Sequence, residues 1–240
     1  MTDTRILAII PARGGSKRLP KKNILPFCGK PLIQWAIEEA QKVKEIDNLF
    51  VTTDCSEIAD VAKQCGAWVP ELRPKHLAND TSSTADVIDY VIKYCESVGK
   101  KFDYFILLQP TSPLRNSHHI VEAIDLAKER RVSSVISVNR MAHPVEWIAG
   151  LNENNTMEEF TEQLIASSRR SQDCKESFIL NGAIYIVDVE VFKEEKDLFY
   201  GKNSVAYIMD ESDSVDIDTK QDFAVAECLL KYKMSAKTPV

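Results

Sequence analysis

A chain of 240 residues that is 44% hydrophobic carries enough apolar side chains for a full core, and it reads as one domain over 1–240. Its net charge of -6 argues against a nucleic-acid groove, which needs a basic stripe across a face, and no apolar run nears the length of a membrane span. Six scattered cysteines without a C-x-x-C pair, and a start without a signal-peptide pattern, give the expectation of a soluble, cytoplasmic protein with reduced thiols.

Short apolar runs alternate with helical patterns along the chain. Ile6 to Ile10 predicts a first strand, and Pro31 opens a helix in which Leu32, Ile33, Ala36, Ile37, Ala40 and Val43 recur at helical spacing. Leu49 to Thr53 predicts a second strand, Ile58 to Cys65 a helix, and Trp68-Val69 a short third strand. A capping box, Ser83-Thr84-Ala85-Asp86, starts a helix with Ile88, Val91, Ile92 and Cys95 on one face. Tyr104 to Leu108 is an uninterrupted apolar strand, followed by a helix with Ile120, Val121, Ile124 and Ala127 and a strand from Ser134 to Val138. Residues 139–178 break the pattern and read as an excursion with small elements of its own, after which Ile184 to Val187 resumes as strand. Strand–helix alternation of this kind predicts an α/β protein with a doubly wound, mostly parallel sheet. Such sheets bind ligands beyond the carboxyl ends of their strands.

The first strand opens into a basic loop, Pro11-Ala12-Arg13-Gly14-Gly15-Ser16-Lys17-Arg18-Leu19-Pro20-Lys21-Lys22-Asn23. No Asp or Glu occurs from Thr4 to Ile37, so the loop reverses the sign of an acidic chain. Two glycines allow close backbone approach and clustered cations suit a polyanion, which points to a polyphosphate. Neither the Gly-Lys-Ser/Thr of a Walker loop nor a G-x-G-x-x-G fingerprint is present. Together with Gly29-Lys30-Pro31-Leu32-Ile33, this stretch resembles the signature of the acylneuraminate (CMP-sialic acid) cytidylyltransferases. That resemblance implies a Rossmann-like nucleotidyltransferase fold, CTP as donor, and Ala12, Arg13, Gly14, Lys17, Lys22 and Asn23 around the nucleotide. It also implies that the excursion over 139–178 is an inserted dimerisation segment, making the protein a homodimer.

Three further stretches lie at or past predicted strand ends. The hydroxyls around Ser82 and Thr84 could meet a pyrimidine edge or simply cap a helix; the resemblance assigns them to the cytosine pocket. Leu108-Gln109-Pro110-Thr111-Ser112-Pro113-Leu114-Arg115 is stiffened by two prolines and suits a rigid site loop, with Gln109 on the sugar by resemblance. In Ser214-Val215-Asp216-Ile217-Asp218, a strand would point Asp216 and Asp218 the same way, roughly 6.6 Å apart. Two such carboxylates invite a hard cation, Mg2+ carried by a triphosphate, although Asp218 with Gln221 is also a helix-capping pattern. The resemblance puts the metal pair on these two aspartates.

By resemblance, too, Arg170, Asn181 and Tyr185 join Gln109 on the sugar side. Cys174-Lys175 and Ile179 depart from the family wording there, which leaves the acceptor open. The function implied is CMP transfer from CTP to an acidic nine-carbon sugar, an N-acylneuraminate or a similar nonulosonate, with pyrophosphate released. Arg13, Lys22, Asp216 and Asp218 would carry the chemistry; a metal-bound water and the two aspartates are the candidates for general base. Legionaminate, pseudaminate and Kdo are alternative acceptors, and a non-catalytic nucleotide-sugar-binding module is the rival from another class.

Overall fold

Strand β1 (Ile6–Pro11) is apolar along its length because both of its faces are covered. Ile6, Ala8 and Ile10 enter one core cluster and Leu7 and Ile9 enter another, the alternation a strand imposes. In the computed structural model, which describes residues 4–79, 81–158, 161–162, 175–199 and 203–236, the first cluster packs beneath α1 (Leu32–Gln41), α2 (Ser56–Gln64) and α4 (Ser117–Arg130). The second packs beneath α3 (Thr84–Ser97) and α5 (Val189–Glu195). Helices on both faces of one sheet are the doubly wound arrangement predicted from the alternation of patterns.

A small hairpin, β2 (Pro26–Phe27) and β3 (Lys30–Pro31), follows the basic loop. The main sheet adds β4 (Asn48–Thr52), β5 (Tyr104–Leu107), β6 (Ser134–Arg140), β7 (Phe178–Asp188) and β8 (Ser204–Met209), in the order β4-β1-β5-β7-β6-β8. β1 is parallel to both β4 and β5, and β6 to β8, while β7 runs antiparallel between β5 and β6. The carboxyl ends of β1, β4 and β5 therefore emerge at one edge. A third cluster, Leu19, Phe27, Leu32, Leu114, Ile217 and Ala226, sits at that edge and ties the basic loop, the hairpin and α6 (Lys220–Ala236) together.

Four expectations need correction. β7 begins at Phe178 rather than near Ile184, and Asn139 and Arg140 are still strand, paired with Ile179 and Phe178. The excursion thus starts and ends as a two-stranded extension of the sheet. Phe178, Ile179 and Leu180 are all exposed, so no alternation marks them as strand, and the register shifts where β7 passes Gly182 at φ +72. Trp68 makes one isolated bridge to Phe50 instead of a strand. Residues 214–218 are not a strand, for they pair with no neighbour; the Ile217 N–H donates to the Thr111 carbonyl at 2.8 Å. Nor does Asp218 cap α6: Thr219 and Asp222 make that reciprocal box. Among the described residues, no helix is long and apolar enough to cross a membrane.

Candidate active site

The basic loop leaves β1 with the Ala12 N–H still donating to the Thr52 carbonyl, at 3.0 Å. It then turns against the start of α2, where the Gly14 N–H donates to Asp54 Oδ1 at 2.9 Å. A Cβ on Gly14 would lie 2.9 Å from the Cβ of Cys55, too close for any side chain, whereas one on Gly15 would meet nothing within 4 Å. Of the two glycines, packing demands only the first. Lys21 adopts the left-handed conformation at φ 55 and is held outward by Glu57, at 2.8 Å, which turns the neighbouring Lys22 inward. Buried Asn23 braces the loop from within, its Nδ2 donating to the Arg13 carbonyl at 3.1 Å.

Opposite the loop stands the 214–218 segment. Lys22 Nζ donates to the Ile217 carbonyl at 2.6 Å and to Asp218 Oδ1 at 3.0 Å, and Arg18 Nη1 reaches Asp218 Oδ2 at 2.9 Å. Asp216 is exposed as a residue, yet its carboxyl lies against enough protein that desolvation pushes its pKa above the usual carboxylate range. The Thr111 hydroxyl bond and Lys22 pull the other way, and Asp218 and Asp222 add to the rise. Neither aspartate is held by strand pairing or capping duty; Asp218 is instead paired with Lys22 and Arg18, and Asp216 accepts from the Thr111 hydroxyl.

The third wall is the loop after β5. Arg115, fully buried, donates through Nη1 to the carbonyls of Gln109 (3.1 Å) and Ala183 (2.8 Å), fastening this loop to β7. Burial lowers its pKa to about 10, partly offset by Glu39. The Gln109 side chain consequently lies over Gly182, where a Cβ would stand 3.6 Å from Gln109 Oε1. The fourth wall carries Ser82, whose hydroxyl lies 2.7 Å from the His76 carbonyl and 2.8 Å from Asn79 Oδ1, and Thr84 at the start of α3, behind the predicted Ser83–Asp86 capping box.

These walls enclose a cavity of about 640 Å3 lined by Arg13, Lys17, Arg18, Lys22, Asn23, Ser82, Thr84, Gln109, Thr111 and Asp218, among others. Sequence reasoning gave two of its arginines no named site role. Arg73, 5% exposed, lines the cavity with no partner for its Nε, and its Nη2 is 3.9 Å from Asp54. Burial depresses its pKa, opposed by Asp54. A lone arginine in a loop gave no local signal. Arg18 was seen as one cation among several, without its Asp218 contact. A larger hollow, about 740 Å3, adjoins through Leu77, Asn79 and Ser82, but Asp86 and Asp89 stand in its wall beside Lys93, so a polyanion suits the first cavity better.

Not every expected residue faces this cavity: Ala12, Gly14 and Asp216 stand behind its lining, next to Arg13, the Asp54 carboxylate and Asp218 respectively. Asn181 is buried, accepting from the Ser137 hydroxyl at 2.6 Å and donating to Ser214 Oγ at 3.0 Å, and so links β6, β7 and the aspartate segment. Tyr185 is 7% exposed in the core, edge-on to Phe199, its pKa raised by burial and then by Asp216. Arg170 lies outside the described residues.

A family profile described as "Cytidylyltransferase" matches residues 7–209. The chain is 37% identical over 98% of its length to an N-acylneuraminate cytidylyltransferase of Escherichia coli, of which it spans 54%. It is 34% identical to a pseudaminic acid cytidylyltransferase of Campylobacter jejuni and 38% identical to a CMP-N,N'-diacetyllegionaminic acid synthase of Legionella pneumophila. Those alignments cover 94% and 97% of this chain, and 96% and 99% of the relatives. Among solved structures, a CMP:2-keto-3-deoxy-manno-octonic acid synthetase complexed with CTP shares the fold at a TM-score of 0.67 and 18% identity, over 96% of this chain and 100% of that one.

Proposed function

The chain belongs to the cytidylyltransferase family, and from that premise we propose that it transfers CMP from CTP to the anomeric hydroxyl of an acidic nine-carbon sugar, releasing pyrophosphate. The observation that carries this reading is the convergence, in one cavity, of the basic loop, the Ser82–Thr84 wall, Gln109 and Asp218. Arg13, Lys17 and Lys22 hold the triphosphate and offset the charge that grows on the departing pyrophosphate. Ala12 and Gly14 set the backbone of that loop, and Asn23 fixes the Arg13 carbonyl. Ser82 and Thr84 take the base end, with Arg73 as a further donor beside them. Gln109 meets the sugar; Asn181, Tyr185 and Arg170 complete that side, the first two by fixing the ground on which Gln109 and Asp216 rest.

The donor set fits Mg2+. No cluster of three or more His, Cys, Asp or Glu that could hold a metal occurs among the described residues, but Mg2+ commonly takes only one or two carboxylates from a protein and completes its shell with phosphate and water. Asp216 and Asp218 would hold it. When bound it supplies alignment of the in-line attack and charge neutralisation on the phosphates. Either aspartate is a candidate to accept the proton of the sugar hydroxyl.

The acceptor is an N-acylneuraminate or a close relative such as legionaminate or pseudaminate, with the eight-carbon Kdo as an alternative; relatives named for the three nine-carbon acceptors stand at nearly the same identity, so overall similarity does not choose among them. The protein acts as a homodimer through the extension of β6 and β7, where Phe178, Ile179, Leu180, Trp147 and Ile148 are exposed. The setting we infer is cytoplasmic, where scattered cysteines without a C-x-x-C pair stay reduced. The test is pyrophosphate release with CTP and a panel of these sugars. Turnover with at least one of them supports the enzyme; tight CTP binding without turnover of any would favour the non-catalytic binding module instead.

A further inference from the structure

Both oxygens of Asp218 already face cations of the basic loop: Oδ1 accepts from Lys22 at 3.0 Å and Oδ2 from Arg18 at 2.9 Å. The pairing joins two segments 196 residues apart in sequence, brought together because Leu19 and Ile217 share one apolar cluster. Its two arms differ. The Lys22 side chain is 12% exposed and also anchored on the Ile217 carbonyl, whereas that of Arg18 is 70% exposed and free to swing at small cost. Asp216 is held differently, by the Thr111 hydroxyl, with Lys22 acting on it only through space.

We propose that Arg18 is a further residue of the phosphate site, and that Arg18 and Lys22 form a latch on Asp218 which an incoming polyphosphate must open. The inference rests on the nucleotide and metal reading of this cavity. A triphosphate offers the two cations more negative charge than a single carboxylate does, so it draws them off Asp218. Asp218 is then left beside Asp216 and a polyanion with its counter-ions removed, which is the electrostatic condition under which a divalent cation is wanted there. The second ligand of the metal pair thus becomes available only as the nucleotide settles, and the cleft does not load metal by itself.

The experiment is calorimetric titration of CTP in excess EDTA, without sugar, into the parent protein and into Asp218→Asn, Asp216→Asn and Arg18→Met, each checked for folding by its melting curve. Asp218→Asn is expected to bind metal-free CTP about tenfold more tightly than the parent, since its cations no longer have to be released. Asp216→Asn should change affinity by less than about twofold, and Arg18→Met should weaken it about fivefold. Manganese titrated without nucleotide should bind Arg18→Met more tightly than the parent, because one arm of the latch is gone. Equal tightening by both Asn variants would mean general relief of negative charge and would overturn the latch, as would an Asp218→Asn affinity no higher than the parent's. A parent that binds no CTP, with or without magnesium, would instead overturn the nucleotide reading on which the latch depends.

Discussion

The two halves of the sheet are built on different terms. In β4-β1-β5 all strands are parallel and nearly all their apolar residues are buried, Leu49 and Tyr104 only partly, so three carboxyl ends open at one edge and the site loops hang from rigid supports. In β7-β6-β8 the antiparallel β7 runs out beyond the sheet with Phe178, Ile179 and Leu180 exposed, paired to Asn139 and Arg140. The first half buries its apolar faces within one chain and, in our proposal, carries the nucleotide end of the cavity. The second half leaves apolar surface that one chain does not cover, and in our proposal it serves the sugar end and the second subunit. The two halves are joined at Arg115, which donates to the Ala183 carbonyl, and at Gln109, which lies over Gly182, while Asn181 ties β7 to the aspartate segment.

The largest test of that division removes the outer part of the second half. Replacing residues 142–176 by a short turn keeps the paired stems and should abolish both the dimer and sugar turnover while CTP still binds. A fully active monomer would break the comparison. Next in size are Arg13→Ala and Lys22→Ala, each expected to remove about 1.5–3 kcal/mol of charge-assisted interaction with CTP while the protein stays folded. Kinetics like the parent's in both would mean that the loop does not hold the triphosphate.

The glycine pair gives a smaller and sharper contrast inside the first half. Gly14→Ala forces a Cβ against Cys55 and should cost about 1–3 kcal/mol, displacing the loop and weakening CTP binding. Gly15→Ala should stay within about 0.5 kcal/mol of the parent in a denaturation curve. Equal effects would show that the loop lies elsewhere.

The smallest effect is a pH dependence. Folding raises the pKa of Asp216, so the native state holds that proton more tightly than the unfolded chain. The resulting stability is present below the unfolded pKa and is lost as pH rises through the raised native value. Melting temperature compared between the parent and Asp216→Asn should show the parent losing ground over that interval. A constant difference would mean that the carboxyl is not perturbed.

Most of the first half was legible in the sequence because buried parallel strands are uninterrupted apolar runs, and because the Ser83–Asp86 box and the basic loop are local patterns. What stayed hidden depended on contacts distant in the chain. Arg73 becomes a cavity residue only when the chain brings it beside Asp54, and the Arg18–Asp218 pair spans 200 residues. The start of β7 carries no period because both of its faces are exposed, and β8 escaped notice since only its last residue, Met209, is buried. The sequence offers Asp218-Gln221 as an alternative cap for α6, but Thr219-Asp222 is an equally good pattern one residue later, and only the hydrogen bonds distinguish them.

The central claim is that the cleft between basic loop and aspartate segment is a magnesium-dependent nucleotidyl-transfer site, and the most direct measurement is pyrophosphate release against magnesium concentration for the parent, Asp216→Asn and Asp218→Asn. Neither aspartate caps α6, so both variants should melt close to the parent. We expect each to lose most of its turnover and to need far more magnesium for what remains. Parent rates at the parent magnesium requirement in both variants would contradict the account.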